Sequence, residues 1–432
     1  MQTIVIAGGG AGGLELATRL GDSLGRWKRA RIVLVDRSPT HFWKPLLHTV
    51  ASGQRDPHLH QIEYSAQAAE HSFQFVCGEI SGVDRASRTL DIAPYHGDDG
   101  AEVLPRRRLH YDKLVLALGA VTNFFGVPGA WEHALTLDNV EDAERFRQRF
   151  LRSCMQAGAR KLAGDPQACV DIVIVGGGAT GVELAAELGH AARALAHYNV
   201  HALDPRRDVR IRILERGPML LPHLHPRLCK QAAKLLQTAG VEVCTGTTVA
   251  RVAADSVEDS NGGRHASDIT LWTAGVEGPA LCASLGLQLN RLRQVVVSPS
   301  LQAIDDPAIF ALGDCCSFVS PAGGAAVPPR AQVAHQQAMH LATLLALPDG
   351  TPLPPFRYRD YGSLVSLGPF AAIGVLLDRN GHQLQLEGTA ARLLYGLMYQ
   401  KHVLSVQGFV RMAGQSLANW IRAKFAPPVK LH

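Results

Sequence analysis

The sequence predicts an α/β protein with two Rossmann-like dinucleotide-binding domains, followed by an amphipathic helical segment at the C-terminus. The first observation is an internal repeat, because the segments GGGAGGLELA and GGGATGVELA each follow a run of β-branched residues. The second is that the next predicted strand after each glycine segment ends in an acidic residue. The third is that the last 45 residues carry six Lys or Arg and no Asp or Glu.

Each glycine segment has the order of a βαβ unit: a buried strand, a glycine turn and a helix with apolar residues at helical spacing. In such a unit the glycines form a tight turn and let a pyrophosphate approach the backbone at the positive end of the helix. The expected contacts are Gly8, Gly10 and Gly13 in the first copy and Gly176, Gly178 and Gly181 in the second. A glycine turn without a ligand is the alternative.

Asp36 and Glu215 are the acidic residues that end the second predicted strand of each unit. A carboxylate at this position accepts a hydrogen bond from a ribose hydroxyl and repels a 2′-phosphate. Glu215 therefore favours NADH over NADPH. Arg210, Arg212 and Arg216 lie close by in the sequence and favour the phosphorylated cofactor instead.

Further buried strands complete the two units. The runs YDKLVLALG and ITLWTAG each lead into a turn of small residues, and a third run, AIFALG, precedes Asp314. A helix is expected from Arg330 to about Leu347. We predict three units: a first domain of residues 1–120 and 295–383, a second domain of residues 121–294, and a C-terminal unit of residues 384–432.

Two dinucleotide sites on one chain make chemical sense when one holds a flavin and the other a nicotinamide, because a hydride passes from nicotinamide C4 to flavin N5. NADH oxidation is then the expected reaction. No metal site is expected, since His223 and His225 lie in a proline-flanked loop and His335 and His340 fall on different faces of one helix. We interpret all four as surface or core histidines.

The composition is that of a globular protein, with 47% hydrophobic and 19% charged residues. The net charge of +5 arises in the tail, because the rest of the chain is nearly neutral. A basic, apolar tail argues against a nucleic-acid partner and favours an anionic membrane surface. No apolar run is long enough for a transmembrane helix. The eight cysteines form no CxxC pair, which indicates reduced thiols.

The tail is predicted to form two amphipathic helices, broken near Gly408 and Gly414, that lie on the membrane surface. Its apolar residues recur at helical spacing: Leu393, Leu394, Leu397, Met398, Val410, Leu417, Trp420, Ile421 and Phe425. Packing on the protein body or on a second subunit is the alternative. We expect that deletion beyond about residue 388 releases the chain from membranes and preserves NADH oxidation by a soluble acceptor.

The sequence resembles the type II, non-proton-pumping NADH:quinone dehydrogenases, single-chain flavoproteins of respiratory membranes, and in particular their proteobacterial branch. The resemblance covers nearly the whole chain. Beyond the glycine segments it is carried by HFWKPLLHTVASG (41–53), YDKLVLALGAVTN (111–123), WTAG (272–275), ALGDC (311–315), VPPRAQVAHQQA (327–338), GSLVSLG (362–368) and the terminal KLH.

The resemblance implies which residues bind each group. FAD contacts are implied for Gly8, Gly10, Gly13, Asp36, Lys44, Ala117, Gly119, Asp314 and Ala331. NADH contacts are implied for Gly176, Gly178, Gly181, Glu183, Glu215, Ala274 and Gly275. Quinone contacts are implied for Ala331, Gln332 and Gln336, and catalytic roles for Glu183, Gln332 and Gln336.

The residue patterns leave other interpretations open. Glu183 could be an acid in the first turn of a helix that stabilises the helix dipole, as Glu15 could in the first repeat. Gln332 and Gln336 present amides on one helix face that can bond a quinone carbonyl, but they also suit a solvated surface. His335 lies between them and could carry a proton.

The implied activity is that of a respiratory FAD-dependent NADH:ubiquinone oxidoreductase. A hydride passes from NADH to one non-covalent FAD, two electrons reach a membrane quinone, and no protons are pumped. The resemblance also implies a peripheral protein, either monomer or homodimer, on the cytoplasmic face of the bacterial inner membrane. A sulfide:quinone oxidoreductase is one alternative, but no late cysteine follows Cys316. A flavin-based redox sensor or scaffold without sustained turnover is the other.

Overall fold

Two parallel sheets form the centre of the protein, one for each glycine motif. The computed structural model describes residues 1–97, 99–197, 203–321, 323–324, 326–348, 350–368, 371–378 and 382–425. The first sheet has the strand order Gln302–Ala303, Asp306–Ala311, Lys113–Leu116, Gln2–Ala7, Ala30–Asp36 and Gln74–Cys77. Its strands are parallel except for the edge strand at residue 302, which is antiparallel.

The second sheet repeats this arrangement. Its parallel strands have the order Ala134–Leu135, Ile269–Trp272, Val170–Val175, Val209–Glu215 and Val241–Thr245. In both sheets the strand before the glycine motif lies between the strand that ends in the acid and a third strand. Ile4, Val5 and Ile6 of the first sheet and Ile174 of the second are fully buried, as continuous β-branched runs in parallel sheets usually are. The predicted α/β architecture with two Rossmann-like sheets is confirmed.

A helix follows each glycine motif, Ala11–Leu20 after the first and Ala179–His197 after the second. The helix predicted from residue 330 to about 347 spans Ala331–Leu344, with Arg330 as its N-cap, and packs against Ala11–Leu20. We call it the glutamine helix. The other helices of the described residues outside the tail are Leu47–Ala51, Tyr64–Glu70, Ala130–His133, Val140–Leu162, Pro205–Asp208, Pro226–Thr238 and Ala280–Ser284, with short turns at Gly21–Gly25, Lys44–Leu46, Pro57–Leu59 and Gly313–Cys315.

Short strands form small separate sheets around the two units. They are Thr40–His41, Ile62–Glu63, Ile80–Asp84, Thr89–Ile92, Tyr95–His96, Glu102–Leu104, Arg107–His110, Val121–Thr122, Val249–Val252, Ser256–Asp259, Arg264–Ala266, Val276–Glu277, Val295–Val296 and Cys316–Ser317.

Residues 295–383 behave differently from the predicted completion of the first domain. Their first part does add two strands to the first sheet. Residues 362–387 instead form a separate antiparallel sheet of strands Gly362–Ser366, Ala372–Leu377 and Gln383–Glu387. Because neighbouring side chains alternate between sheet faces, Val365 and Ile373 enter the core of the second unit while Leu364 and Ala372 face the tail.

The tail forms one helical segment, Gly388–Phe425, that is interrupted at Gly408. Gly408 has φ 79° and ψ 174°, a conformation that glycine adopts without steric cost. The predicted break near Gly408 is confirmed, and the second break at Gly414 is wrong because the helix continues through that residue. We call residues 388–407 and 409–425 the first and second tail helices. Lys430 and the terminal KLH lie outside the described residues.

The two tail helices fold back on each other. The Ser416 hydroxyl donates to Gln400 Oε1 at 3.0 Å, and Gln415 Nε2 donates to Gln407 Oε1 at 2.9 Å. The inner face of the first tail helix is buried on the protein body at Ala391, Tyr395, Val403 and Val406. The inner face of the first tail helix therefore packs on the protein body, which was the alternative to membrane binding. Among the described residues, no helix has the length and apolar character that a membrane span requires.

Candidate dinucleotide and acceptor sites

The first glycine motif closes tightly on the neighbouring strand. Gly8 has φ 107°, and a Cβ there would overlap the carbonyl oxygen of Ala117. A Cβ at Gly13 would overlap the carbonyl oxygen of Gly8. At Gly10, by contrast, a Cβ would find no protein atom within 4 Å. The loop is packed on its protein side and open at Gly10, where a pyrophosphate would approach.

Asp36 is held against this loop. Its Oδ2 accepts a hydrogen bond from the backbone N–H of Gly9 at 2.6 Å, and its Oδ1 accepts one from Ser38 at 2.8 Å. The Gly9 carbonyl accepts from the Tyr64 hydroxyl at 2.7 Å. Burial raises the pKa of the Asp36 carboxyl, although the backbone donors oppose that shift. A carboxyl group fixed at this strand end fits the ribose of a dinucleotide.

The second motif has the same geometry. Gly176 has φ 110°, and a Cβ at Gly181 would overlap the Gly176 carbonyl oxygen. A Cβ at Gly178 would again meet no protein atom within 4 Å. Glu215 Oε2 accepts a hydrogen bond from the backbone N–H of Gly177 at 2.6 Å, as Asp36 Oδ2 does from the backbone N–H of Gly9 in the first motif. Both cradles therefore fit the same class of ligand, and the open glycine in each leaves room for its phosphates.

Lys44 and Asp314 border the first cradle. Lys44 Nζ donates to the Ala120 carbonyl at 3.0 Å and lies 3.5 Å from Asp138 Oδ1. Burial raises the pKa of Asp314, and the positive charge of Lys44 opposes that shift. Gln294 Nε2 donates to the Asp314 backbone carbonyl at 2.8 Å and fixes the turn. Asp314, the predicted ribityl contact, and Lys44, the predicted flavin-side lysine, therefore lie close enough for their charges to interact.

The turns that follow the third strand of each sheet lie side by side. Gly119 belongs to one turn and has φ 70°, while Ala274 and Gly275 belong to the other. The strand Val121–Thr122 pairs antiparallel with Val276–Glu277 and joins the two turns. The predicted flavin-side and nicotinamide-side turns are therefore adjacent, which hydride transfer between two bound cofactors requires.

Glu183 is buried, with 7% of its surface exposed. Its Oε1 accepts from the backbone N–H of Ser366 at 3.0 Å, its Oε2 lies 3.5 Å from His48 Nδ1, and the Tyr395 hydroxyl bonds it. Burial raises the pKa of Glu183 to about 8. The interpretation as a first-turn acid is wrong, because the helix begins at Ala179 and its first turn contains no acid.

A second carboxyl group lies one helical turn beyond Glu183. Glu187 is fully buried, accepts a hydrogen bond from Gln54 Nε2, and leaves Oε1 without a hydrogen-bond partner among the described residues. Burial raises its pKa as well, while the charges of Arg392 and Arg55 oppose the shift. The first tail helix supplies Arg392, so the tail helps to enclose this acidic cluster.

Glu15 occupies the position in the first repeat that Glu183 occupies in the second, and it is fully buried. It is not a first-turn acid either. Its Oε1 lies 2.9 Å from Arg19 Nη2, and its Oε2 lies 2.6 Å from His335 Nδ1. No sequence pattern pairs Glu15 with His335, because 320 residues separate them.

A cavity of about 470 Å³ lies between the glutamine helix, the antiparallel sheet and the first tail helix. Apolar side chains and Ala331 form much of its wall, and polar groups lie at a few points. The lining includes Trp43, Ala331, Gln332, His335, Leu397, Met398, Lys401 and His402. Four of these belong to the first tail helix, so the tail is part of the cavity wall.

A histidine pair joins the tail to the first glycine loop. His402 Nε2 lies 2.9 Å from His41 Nε2, and His41 Nδ1 donates to the Gly9 carbonyl at 3.0 Å. The His402 ring also stacks on Trp43, with centroids 5.7 Å apart. Burial lowers the pKa of His41 to about 4 and that of His402 well below its usual range. Both rings are therefore neutral, and one donates to the other.

Gln332 and Gln336 hold the irregular segment that leads into the antiparallel sheet. Gln332 Nε2 donates to Asp360 Oδ1 at 3.1 Å and to the Gly362 carbonyl at 3.0 Å. Gln336 exchanges two hydrogen bonds with the Arg359 backbone, at 2.8 and 3.0 Å. Their amides are not merely solvated, and they already have protein partners. Gln332 lines the cavity, so a ligand can reach it.

Comparisons with known proteins agree with this geometry. A family model described as pyridine nucleotide-disulphide oxidoreductase matches residues 2–338. The chain is 37% identical to a type II NADH:quinone oxidoreductase of Haemophilus influenzae, over 100% of both chains. It is 33% identical to the demethylphylloquinone reductase NdbB of a Synechocystis species, over 92% of this chain and 91% of that protein.

The fold is also found among solved structures. The structure of NDH2 from Plasmodium falciparum in complex with NADH superposes with a TM-score of 0.83. It is 18% identical in sequence, and the match covers 100% of this chain and 99% of that one. Nearly the whole fold, including the tail, is therefore shared with that protein.

Proposed function

This chain belongs to the type II NADH:quinone oxidoreductases, and we propose that it passes electrons from NADH through one non-covalent FAD to ubiquinone or a related quinone, without pumping protons. The observation that carries the proposal is the pair of matched glycine cradles. Each is open at its middle glycine and ends at a fixed carboxyl group, which fits two dinucleotides. Their adjoining turns support direct transfer between them.

FAD is proposed for the first cradle and NADH for the second. Bound FAD would take a hydride from NADH and give two electrons to the quinone. Gly8, Gly10, Gly13 and Asp36 would hold the adenosine and pyrophosphate of FAD. Lys44, Ala117, Gly119, Asp314 and Ala331 would border the rest of that cofactor. The proposed NADH contacts are Gly176, Gly178, Gly181, Glu183, Glu215, Ala274 and Gly275.

The cavity beside the glutamine helix is the proposed quinone site. Its volume of about 470 Å³ lies within the range of small-molecule pockets. Ala331 leaves room for a flat ring, and Gln332 can bond a carbonyl oxygen once it exchanges a protein partner for the ligand. Gln336 supports the same wall through Arg359. We therefore assign Gln336 a supporting position rather than a direct contact.

The tail is proposed as the membrane-binding surface, on the cytoplasmic side of the bacterial inner membrane. The outer face of the tail exposes large apolar side chains, among them Leu393 at 68%, Phe409 at 68%, Val410 at 84% and Phe425 at 84%. Such a face with basic residues beside it is typical of an interfacial helix. Leu397 lines the cavity and is 50% exposed, which supports entry of the quinone from lipid.

Steady-state turnover tests the proposed activity. NADH consumption should require added ubiquinone, should be slower with NADPH because of Glu215, and should not be replaced by sulfide as the donor. Turnover with sulfide would favour the sulfide:quinone alternative, although Cys315 and Cys316 are both buried. A single reduction by NADH without sustained quinone-dependent turnover would favour the sensor or scaffold.

Vesicle flotation tests the proposed membrane surface. Replacing Phe409 and Phe425 by Ser should weaken binding to anionic vesicles by on the order of tenfold or more, because each buried aromatic side chain contributes roughly 1.5–3 kcal/mol. Leu162→Ser is the matched control, since Leu162 is 75% exposed on a helix outside the tail. Unchanged flotation, together with dimer dissociation in the tail variant, would instead assign this face to a homodimer.

A further inference from the structure

A buried carboxylate and a histidine form a pair at the wall of the cavity. Glu15 comes from the helix after the first glycine motif, and His335 comes from the glutamine helix. Glu15 Oε2 lies 2.6 Å from His335 Nδ1. Arg19, on the same helix as Glu15, lies 2.9 Å from the other carboxylate oxygen. Two hydrogen-bond donors, Arg19 and His335, thus hold the Glu15 carboxylate in one orientation.

This pair fixes the direction in which His335 can act. Because Glu15 engages Nδ1, the other ring nitrogen, Nε2, is the one left to serve a ligand, and His335 lines the cavity. A carboxylate at Nδ1 also fixes the orientation and the tautomer of the ring. The side chain of His335 is 23% exposed, so it can regain a proton from water.

The other charged groups around His335 come from three elements. The first tail helix contributes Lys401 and His402 to the cavity wall, and Lys401 Nζ lies 5.6 Å from the centre of the Tyr361 ring. Arg330, at the start of the glutamine helix, lies 3.5 Å from Asp360. The helix after the first glycine motif contributes Glu15 and Arg19. His402 Nε2 is already engaged by His41, at 2.9 Å, so His335 is the cavity-lining imidazole placed to transfer a proton to a ligand.

We propose that His335 is the acid that protonates the quinone in this cavity and that Glu15 is its positioning residue. The inference rests on the proposed function. Reduction of a quinone to a quinol takes two electrons and two protons. The hydride from NADH supplies both electrons and one proton, and His335 supplies the other. The His335 Nε2–H bond breaks, an O–H bond forms at a quinone carbonyl oxygen, and the neutral ring then takes a proton from water.

Two electron acceptors separate this step from the rest of the reaction. Ubiquinone needs protons, whereas ferricyanide accepts electrons alone. His335→Gln should lower the ratio of ubiquinone to ferricyanide turnover by at least about 100-fold, the usual range for loss of a general acid. His340→Gln is the matched control on the same helix, because His340 bonds the Pro354 carbonyl and does not line the cavity. Its ratio should equal that of the wild type.

A pH profile tests Glu15. Ubiquinone turnover at saturation should fall as the pH rises, because this step consumes a proton. Glu15→Gln keeps an acceptor for Nδ1 but removes the charge beside it, so this fall should move to lower pH. A purely structural role of Glu15 would lower the turnover without moving the profile.

Distinct outcomes overturn each proposal. Equal loss of both acceptor activities in His335→Gln, or a profile that Glu15→Gln does not move, overturns the assigned roles of the pair. Failure of the wild-type holoenzyme to reduce either acceptor with NADH overturns the proposed function instead.

Discussion

Glu183 provides a quantitative test of the buried acidic cluster. Glu183→Gln replaces the carboxyl group by an amide of nearly the same shape that cannot ionise. In the folded protein burial raises the pKa of Glu183 from 4.5 to about 8. The unfolded chain therefore loses this proton at a lower pH than the folded chain does.

The sign and size of the effect follow from this difference. Below about pH 4.5 both states hold the proton, and Glu183 imposes no pH-dependent cost. As the pH rises towards 8, the folded state alone keeps the proton, so the free energy of unfolding of the wild type falls. Each pH unit in this interval is worth about 1.4 kcal/mol. Between pH 5.5 and 7.5 the wild type should lose roughly 2–3 kcal/mol relative to Glu183→Gln.

Guanidinium unfolding of both FAD-loaded proteins at the two pH values measures this quantity. Comparing the two pH values cancels any packing change that the substitution causes, because that change does not depend on pH. Glu15→Gln is the matched control at the same position of the first repeat. Glu15→Gln removes the carboxylate that Arg19 and His335 contact, so it should destabilise the fold by about 3 kcal/mol or more. This opposite sign would distinguish a paired buried carboxylate from the neutral carboxyl group of Glu183.

Two results would refute this reasoning. One is a difference between wild type and Glu183→Gln that stays constant from pH 5.5 to 7.5. The other is the absence of a carboxylic-acid carbonyl band in the infrared difference spectrum of the two proteins at pH 7. Either result would mean that Glu183 is ionised, with Arg392 and Tyr395 stabilising its charge more than burial opposes it.

Three further predictions concern the cradles and the tail. Gly13→Ala should abolish FAD retention, because the new Cβ overlaps the glycine loop. Gly10→Ala should fold normally and bind FAD on the order of tenfold more weakly, because the new Cβ meets no protein atom. Flavin absorbance after dialysis measures FAD retention in both variants, and equal retention would contradict the open cradle. Glu215→Gln should raise the NADPH-to-NADH ratio of kcat/KM by at least about tenfold, and an unchanged ratio would remove its role in selecting the cofactor. Truncation after residue 407 should reduce vesicle flotation and keep quinone reduction. Truncation after residue 387 should abolish quinone reduction, because it removes the tail residues that line the cavity. Intact quinone turnover in the chain that ends at residue 387 would show that the tail is not needed as a cavity wall.

For deletion beyond about residue 388, the sequence predicts release from membranes and continued NADH oxidation by a soluble acceptor, and the cavity wall adds an expected loss of quinone reduction. Tyr395 bonds Glu183, and His402 bonds His41 beside the first glycine loop. The first tail helix therefore completes the site as well as carrying an exposed apolar face. Deleting it would expose Glu183 and remove one wall of the cavity.

The two sheets and the two cradles could be predicted from local sequence order alone. Strand, glycine turn, helix and terminal acid follow each other within about forty residues, and steric limits on the glycines fix the local geometry. Gly10 and Gly178 could be placed in the turn of each motif, and Asp36 and Glu215 at strand ends, without any tertiary information. The break at Gly408 could be predicted for the same local reason.

The way in which distant segments complete the site depends on the tertiary fold and could not be predicted from local patterns. Glu15 and Glu183 hold equivalent positions in the repeat, yet one meets His335 and the other meets Ser366 and Tyr395. The repeat unit dictates that both carboxyl groups leave the helix on its buried side, but not what covers that side. Burial then sets their charge, because a carboxyl group removed from water ionises only where a partner compensates it. That compensation comes from residues that lie far away in the sequence, and folding alone brings them together.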